Sequence, residues 1–304
     1  MRRSIRRLLT VILVLVALGL GGGFLGAVHP VGDSLAVFRG VLTATALVLA
    51  LLLIWTRARY RGLASVILGV AGLAALLPHW VAATAAAQPP GGTYAIYQKN
   101  LSAEAPAPRQ VLTDILRTDP HFITLQEVTE PNRTVLDDLP PNYVTRHWCA
   151  FNAAGGVAIA SIFPPVPDSE ICVDGFGLAA VTVETLEGPM RVISLHLHWP
   201  WPQGQQGQLE VLMPYLDAEE APTLIGGDFN MVRWSATLER IKAASGTEAV
   251  GVSLVTLPVS DLPFGGLSID HVLAPTGGTL ERRPLIGSDH FGLLARFARV
   301  TPRP

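Results

Sequence analysis

Eight polar residues in the later two-thirds of this 304-residue chain sit where apolar, strand-like runs end. Asn100 closes YAIYQKN, Glu127 follows FITLQ, and His196 follows VISL. Asp228 and Asn230 come after TLIGG, Asp270 lies in SID, and Asp289 with His290 follows LIGS. Strand ends in α/β folds converge on a common crevice, so groups spread over about 190 residues of sequence can meet there. The residue types are those of a hard-cation site. Carboxylate and amide oxygens suit Mg2+ or Mn2+, whereas a structural zinc site needs Cys or His at short spacing, which is missing here.

Taken singly, these residues also have structural uses. Glu127 can cap a helix, Asp228 can form an Asx-turn after Gly227, and Asn100 can simply close a strand. Their order and shared position at strand ends favour a site. His198 is expected on the same side as His196 and can assist it or lie on the surface, and His271 alternates to the face opposite Asp270 and reads as structural. HWPWP (198–202) reads as a rigid packed turn, with a substrate-facing wall as the alternative.

The elements that must hold these groups alternate along the chain. Strands are expected at 94–100, 121–127, 155–162, 178–184 and 190–196, then in APTLIGGDFN, SIDHVLAP and HFGLLARFARV. RQVLTDILRTD carries apolar residues at 111, 112, 115 and 116, one face of a helix, and SATLERIKAAS is a second helix. A third helix after residue 205 is expected to end or kink at Pro214. The pattern predicts one α/β domain with more strand than a doubly wound fold requires.

Residues 1–87 differ from the rest. They hold eight arginines, no lysine, and one acid, Asp33, among long Leu/Val/Ala/Gly runs. Leu8 to Val28, Ala36 to Trp55 and Leu63 to about Ala87 are each near the roughly 20 residues that cross a bilayer as helix, although Pro78 and His79 interrupt the third. RRSIRR precedes the first run and RARYR (57–61) follows the second, while HPVGDS between them has no Lys or Arg. By the positive-inside rule the amino terminus and the RARYR loop are cytoplasmic, and three crossings put the polar domain on the outer side of the cytoplasmic membrane. A cleaved signal peptide at 1–27 leaves that side unchanged. Arg39 lies just inside the second run, where it can snorkel to the headgroups, and carries no functional reading. The domain reading is an anchor at 1–87, a linker at 88–93 that includes QPPGG, and a polar domain at 94–304.

The two cysteines, Cys149 and Cys172, both lie in the polar domain. Thiols facing an oxidising compartment tend to pair, and the alternative is two small buried hydrophobes. Of the 22 Lys and Arg, 14 lie in residues 88–304 against 23 of the 24 Asp and Glu, a balance of minus 9. Without a basic run such a surface is poorly suited to gripping duplex nucleic acid. Part of the excess acid fits a metal site instead.

From Tyr94 to about Ala298 the chain resembles the endonuclease/exonuclease/phosphatase superfamily. The Asn closing the first strand, ITLQEV, a strand ending in His, GDFN, ID and SDH occur in the family's order, and GDFN with SDH and LQE is a specific combination. The resemblance implies a four-layer α/β/β/α sandwich and divalent-metal phosphoester hydrolysis. It implies Glu127 as the main Mg2+ (or Mn2+) ligand, with Asn100 a second ligand or an orienting group, and Asp289 a further metal ligand. It makes Asp228 the residue that positions or deprotonates water, and Asn230 a contact to phosphate or metal. His290 then contacts phosphate with Asp270 as its carboxylate partner, and His196 hydrogen-bonds a phosphoryl oxygen. One departure is visible: Ile162 follows Ser161 where family members commonly place an Arg, which weakens assignment to the DNA-repair branch.

The expectation is a membrane-anchored, metal-dependent phosphodiesterase or phosphatase acting on nucleic acid, nucleotide or a lipid headgroup. The other class is a membrane-anchored binding protein built on an inactive family domain. No protein partner is inferable.

Overall fold

A computed structural model describes residues 2–81, 92–104, 107–217, 221–259 and 265–299. The amino-terminal segment comprises α1 (Arg2–Gly22), α2 (Pro30–Val37), α3 (Arg39–Trp55) and α4 (Arg59–Trp80). Two of these, α1 and α4, are long and apolar enough to cross a bilayer, and a third span requires counting α2 and α3 together across a 61° bend. The first helix stops before Val28, because three consecutive glycines at 21–23 hold a helix weakly. A new helix then begins at Pro30, where the His29 ring accepts from Val31 N–H and proline takes the first-turn position that needs no donor. Ala36, expected to open the second span, instead lies buried in α2. Arg39 is buried, donates to Gly23 O at 2.6 Å and sits over the Phe24 ring. Arg61 Nη1 reaches Thr10 Oγ1 at 3.0 Å, so the start of α1 and the start of α4 share one end of this helical segment. The tail expected at 82–87 and most of the 88–93 linker lie outside the described residues.

The polar domain begins with β1 (Thr93–Asn100), α5 (Pro108–Thr118), β2 (Phe122–Val128) and α6 (Thr134–Asp137). Next come β3 (Thr145–Asn152), β4 (Gly155–Ser161), β5 (Ile171–Val173), β6 (Leu178–Thr185) and β7 (Gly188–His196). The chain continues through α7 (Gln205–Leu212), β8 (Thr223–Asp228), α8 (Ala236–Ser245) and β9 (Glu248–Ala249). It ends with the short pair β10 (Leu257–Pro258) and β11 (Gly266–Leu267), then β12 (Asp270–Ala274), β13 (Gly278–Arg283) and β14 (Gly292–Ala298).

Two six-stranded sheets form, ordered β13-β14-β1-β2-β4-β3 and β5-β6-β7-β8-β12-β9. Each contains a parallel pair, β1/β2 in one and β7/β8 in the other. Ile96, Phe122, Ile159, Val181, Val192, Leu224 and Val272 fill the space between the sheets. Val111 and Ile115 of α5 cover the outer face of the first sheet, and Leu209 of α7 with Leu238 and Ile241 of α8 cover that of the second. The result is the expected four-layer α/β/β/α sandwich. Gly226 keeps the layers close, since a Cβ there would meet Thr124 Oγ1 at 2.1 Å.

Helix ends follow local chemistry. Ser235 Oγ accepts from Leu238 N–H at the start of α8, and Gly246 closes it in the left-handed conformation. The helix after residue 205 ends at Leu212, and Pro214 falls in a single 3-10 turn, Met213–Tyr215. Cys149 and Cys172 are disulfide-bonded with Cα atoms 5.4 Å apart. They join β3 and β5, the edge strands of different sheets, so the bond crosses the sandwich instead of closing a hairpin.

Candidate active site

The parallel pairs place the carboxyl ends of their strands side by side. His196 is in register with Asp228 across β7/β8, and Asp228 with Asp270 across β8/β12. On the facing sheet Asn100 ends β1 beside Gln126 of β2. Five strand ends from two sheets therefore meet at one edge of the sandwich.

Glu127 occupies a β-bulge, between Gln126 and Val128, and takes a φ of +53°. A non-glycine residue in the left-handed region carries a cost of order 1 kcal/mol or more and persists only where its surroundings hold it. Asn132 does so, donating to Glu127 O at 2.8 Å and accepting from Thr129 N–H at 2.7 Å. Gly155 lies across the bulge, where a Cβ would stand 2.9 Å from the Glu127 carbonyl carbon. The bulge turns the carboxylate inward, where it accepts from Ala103 N–H at 2.8 Å and Asn100 Nδ2 at 3.0 Å. Asn230 is the second left-handed residue here, with φ +48°.

Asn100 is the bridge of the site. Its Nδ2 donates to Glu127 and to Asp228, each at 3.0 Å, while its Oδ1 accepts from Ser102 N–H at 2.9 Å. Asp228 also accepts from Asn230 N–H at 2.9 Å, and Asn230 Nδ2 donates to Leu197 O at 2.8 Å. Asp228 Oδ2 lies 3.6 Å from His196 Nε2 and 3.9 Å from His290 Nε2. The other nitrogen of His290 is 2.8 Å from Asp270 Oδ2. Seven of the eight sequence-derived residues thus form one connected cluster. Asp289 stands apart, exposed on the wall of the same cleft.

Burial governs the charge states. It pushes the Asp228 carboxyl up to about 7, reinforced by the Asp270 charge and opposed by His290. Burial also works against Asp270, but the His290 cation and its hydrogen bond outweigh that and hold Asp270 low. His290, although buried, is raised to about 10 by Asp270, Asp228 and Asp289. His196 is brought down to about 3 by burial and then by His290. Its approach to Asp228 is therefore a contact of a neutral imidazole, not an ion pair. Among the described residues His196 Nδ1 is buried with no hydrogen-bond partner.

A layer beneath the site escaped the sequence reading. Gln98 Nε2 donates to Asp270 Oδ1 at 3.1 Å and Gln126 Oε1 at 2.8 Å, and Gln126 Nε2 donates to Ser194 Oγ at 3.0 Å. Lys99 Nζ donates to His290 O at 2.9 Å and Pro284 O at 3.2 Å, with burial lowering its pKa to about 8. Ser288 Oγ donates to Asn100 O at 2.8 Å and accepts from His290 N–H at 2.9 Å. Together they pin the loop that carries Asp289 and His290. Gln126 and Ser288 stand in the LQE and SDH motifs, whereas the only sequence signal for Gln98, Lys99 and Ser194 is a polar residue inside an apolar strand.

Glu127, His196, Asp228, Asn230, Asp289 and His290 line a cleft of about 430 Å3, with Phe151, His198 and Trp199 on its wall. The rings of His196 and His198 both pack against Phe151, each at 5.1 Å between centroids. His271 faces away and is 2.8 Å from Met231 O through Nε2, a structural contact. Glu127, Asp228, Asp270 and Asp289 bring four carboxyl groups to the site, and this oxygen-rich donor set fits a hard divalent cation. A second cluster, His147 with Cys149 and Cys172, offers no thiolate because its sulfurs form the disulfide.

Residues 91–290 match the model of the Endonuclease/Exonuclease/phosphatase family, and the chain belongs to that family. Its members are phosphoester hydrolases, and this chain is an enzyme of that class. Among solved structures it is similar to the humanized D. rerio TDP2, with a TM-score of 0.56 at 16% identity over 68% of this chain and 99% of that one. It is also similar to D. rerio TDP2 complexed with a single-strand DNA product, with a TM-score of 0.54 at 15% identity over 68% and 99% of the two chains. Sphingomyelinase C from Streptomyces griseocarneus aligns with a TM-score of 0.50 at 15% identity over 68% and 99%. No curated protein matches by sequence.

Proposed function

We propose that the chain is a divalent-metal-dependent phosphoester hydrolase, anchored by its amino-terminal helices with the polar domain outside the cytoplasmic membrane. The observation that carries the reading is the contact of the Asn100 amide with both Glu127 and Asp228, which fixes two carboxylates from facing sheets at one cleft.

In this reading Glu127 is the principal ligand of Mg2+ or Mn2+, Asn100 sets its orientation, and Asp289 adds a carboxylate from the cleft wall. When bound, the cation neutralises phosphate charge and polarises the phosphoryl group. Asp228, with a carboxyl titrating near neutrality, orients the attacking water and takes its proton. His290, kept cationic by Asp270, donates to a phosphoryl oxygen through Nε2, and neutral His196 donates to another. The Asn230 amide stands beside the phosphate. For the topology, the arginines in the first turns of α1 and around the α3–α4 turn lie at one end of the anchor, the end that the positive-inside rule assigns to the cytoplasm.

Turnover of bis-p-nitrophenyl phosphate by the purified full chain, with chelator and then with Mg2+ or Mn2+, tests the reading. Metal-restored hydrolysis that Glu127→Ala abolishes is the expected result. A folded protein inactive with every metal and substrate class sinks it in favour of a binding domain.

A further inference from the structure

The anchor is joined to the polar domain by specific contacts. Asp33 of α2, 5% exposed, accepts from the backbone N–H groups of Ala236 at 2.8 Å and Thr237 at 2.9 Å, and so caps α8 from a distant part of the chain. Trp234 Nε1 donates to Ala36 O at 2.8 Å, and Ser34 Oγ donates to Trp201 O at 2.7 Å. At the end of α4, His79 O accepts from Ser253 N–H at 2.7 Å, while the His79 and Trp80 rings pack on Trp234. A loose tether would make none of these contacts.

The segments that receive the anchor also frame the cleft. Trp201 is two residues from Trp199, and Ser253 is four from Leu257, and both Trp199 and Leu257 line the cleft. Asp33 holds the start of the helix that follows the loop carrying Asp228 and Asn230. The outer end of the anchor thus meets the edge of the sandwich where the site lies. Exposed apolar side chains gather at this junction: Phe24, Leu25 and Val28 between α1 and α2, Trp80 on α4, and Trp199 and Trp201 on the domain. Tryptophan at the border of hydrocarbon and headgroups is a recurrent membrane-interface feature, because its ring is apolar while its N–H seeks water.

We propose that this junction holds the rim of the cleft against the membrane surface, and that the substrate is a phosphodiester linking a lipid of that leaflet to its polar headgroup. The inference rests on the membrane-anchored hydrolase reading above. The 23 acids against 14 bases in residues 88–304 oppose binding of a polyanion, whereas a lipid headgroup presents one phosphate at a time. Anchoring in the same leaflet also keeps the substrate at high effective concentration. In the reaction, water oxygen forms a bond to phosphorus and one P–O ester bond breaks. Asp228 takes one water proton, the departing alcohol acquires one, and the products are a phosphomonoester and an alcohol.

The test uses the full chain reconstituted with Mn2+ in vesicles of phosphatidylcholine, phosphatidylethanolamine and phosphatidylglycerol. It is assayed for lipid hydrolysis beside bis-p-nitrophenyl phosphate and single-stranded DNA. Expected is turnover of a bilayer lipid, with the ratio of lipid to soluble-substrate turnover falling about tenfold in Asp33→Ala and in Trp201→Ala. Hydrolysis of the soluble diester or DNA with every bilayer lipid intact overturns this inference and leaves the hydrolase reading standing. An unchanged ratio in both variants overturns the docking geometry, and inactivity on all substrates overturns both readings.

Discussion

His290 Nδ1 lies 2.8 Å from Asp270 Oδ2 in a buried pair, which leaves Nε2 directed at the Asp228 side of the cleft. The pairing raises the histidine to about 10, so its folded-state pKa stands above the ordinary 6.5. A raised histidine stabilises the fold fully below its unfolded pKa and loses that contribution as pH rises through the folded value. Chelator-treated protein is therefore expected to lose stability between pH 6.5 and about 10, and Asp270→Asn to flatten that slope. Urea denaturation across that range measures it, and a wild-type profile as flat as the variant's contradicts the pairing.

The bulge at Glu127 gives a prediction in which activity and stability separate. Glycine accepts a φ of +53° without steric cost and alanine does not. Glu127→Gly and Glu127→Ala both delete the carboxylate and both are expected to be inactive, but the glycine variant should be more stable by about 1 kcal/mol. Denaturation midpoints of the pair decide it, and equal midpoints remove the argument that the backbone is strained to present this side chain.

The Cys149–Cys172 bond spans 23 residues and joins edge strands of the two sheets. Chain-entropy arguments assign such a loop roughly 3 kcal/mol. Replacing both cysteines by serine is expected to lower the denaturation midpoint accordingly, while leaving the cleft and metal-dependent turnover intact. Free thiols in the purified native protein would refute the pairing.

Asp33 is a remote cap on α8, and caps of this kind contribute about 1–2 kcal/mol. Asp33→Ala is expected to speed hydrogen exchange in the first turn of α8, with β1 and β2 unaffected. Unchanged protection at Ala236 and Thr237 would show that α2 does not hold the domain.

Much of the sandwich was legible because buried strands and their polar ends leave a sharp pattern, as in YAIYQKN and TLIGGDFN. The strands that escaped are of another kind. GTLERR forms β13 at a sheet edge and exposes most of its side chains, so no apolar run marks it, and TRHWCAFN, β3, mixes polar residues onto both faces. The site's members were visible as strand-end residues, but their connections were not. Nothing in the sequence says that Asn100 touches both Glu127 and Asp228, that Glu127 sits on a bulge, or that Lys99 pins the His290 loop. Those facts depend on register between strands far apart in the chain. The amino-terminal helices were legible as apolar runs and Gly21 to Gly23 mark the break between the first two, whereas the use of Asp33 arises from packing against α8.

The central claim is that Asp228 and Glu127 act on one phosphate through a shared cleft. The most direct measurement is kcat for bis-p-nitrophenyl phosphate with saturating Mn2+ in wild type, Asp228→Asn, Glu127→Gln and the double variant. Residues that act as a unit are non-additive, so each single variant is expected to lose at least about a hundredfold and the double variant little more than the worse single one. Wild-type turnover that survives Asp228→Asn, or losses that multiply in the double variant, would contradict the account.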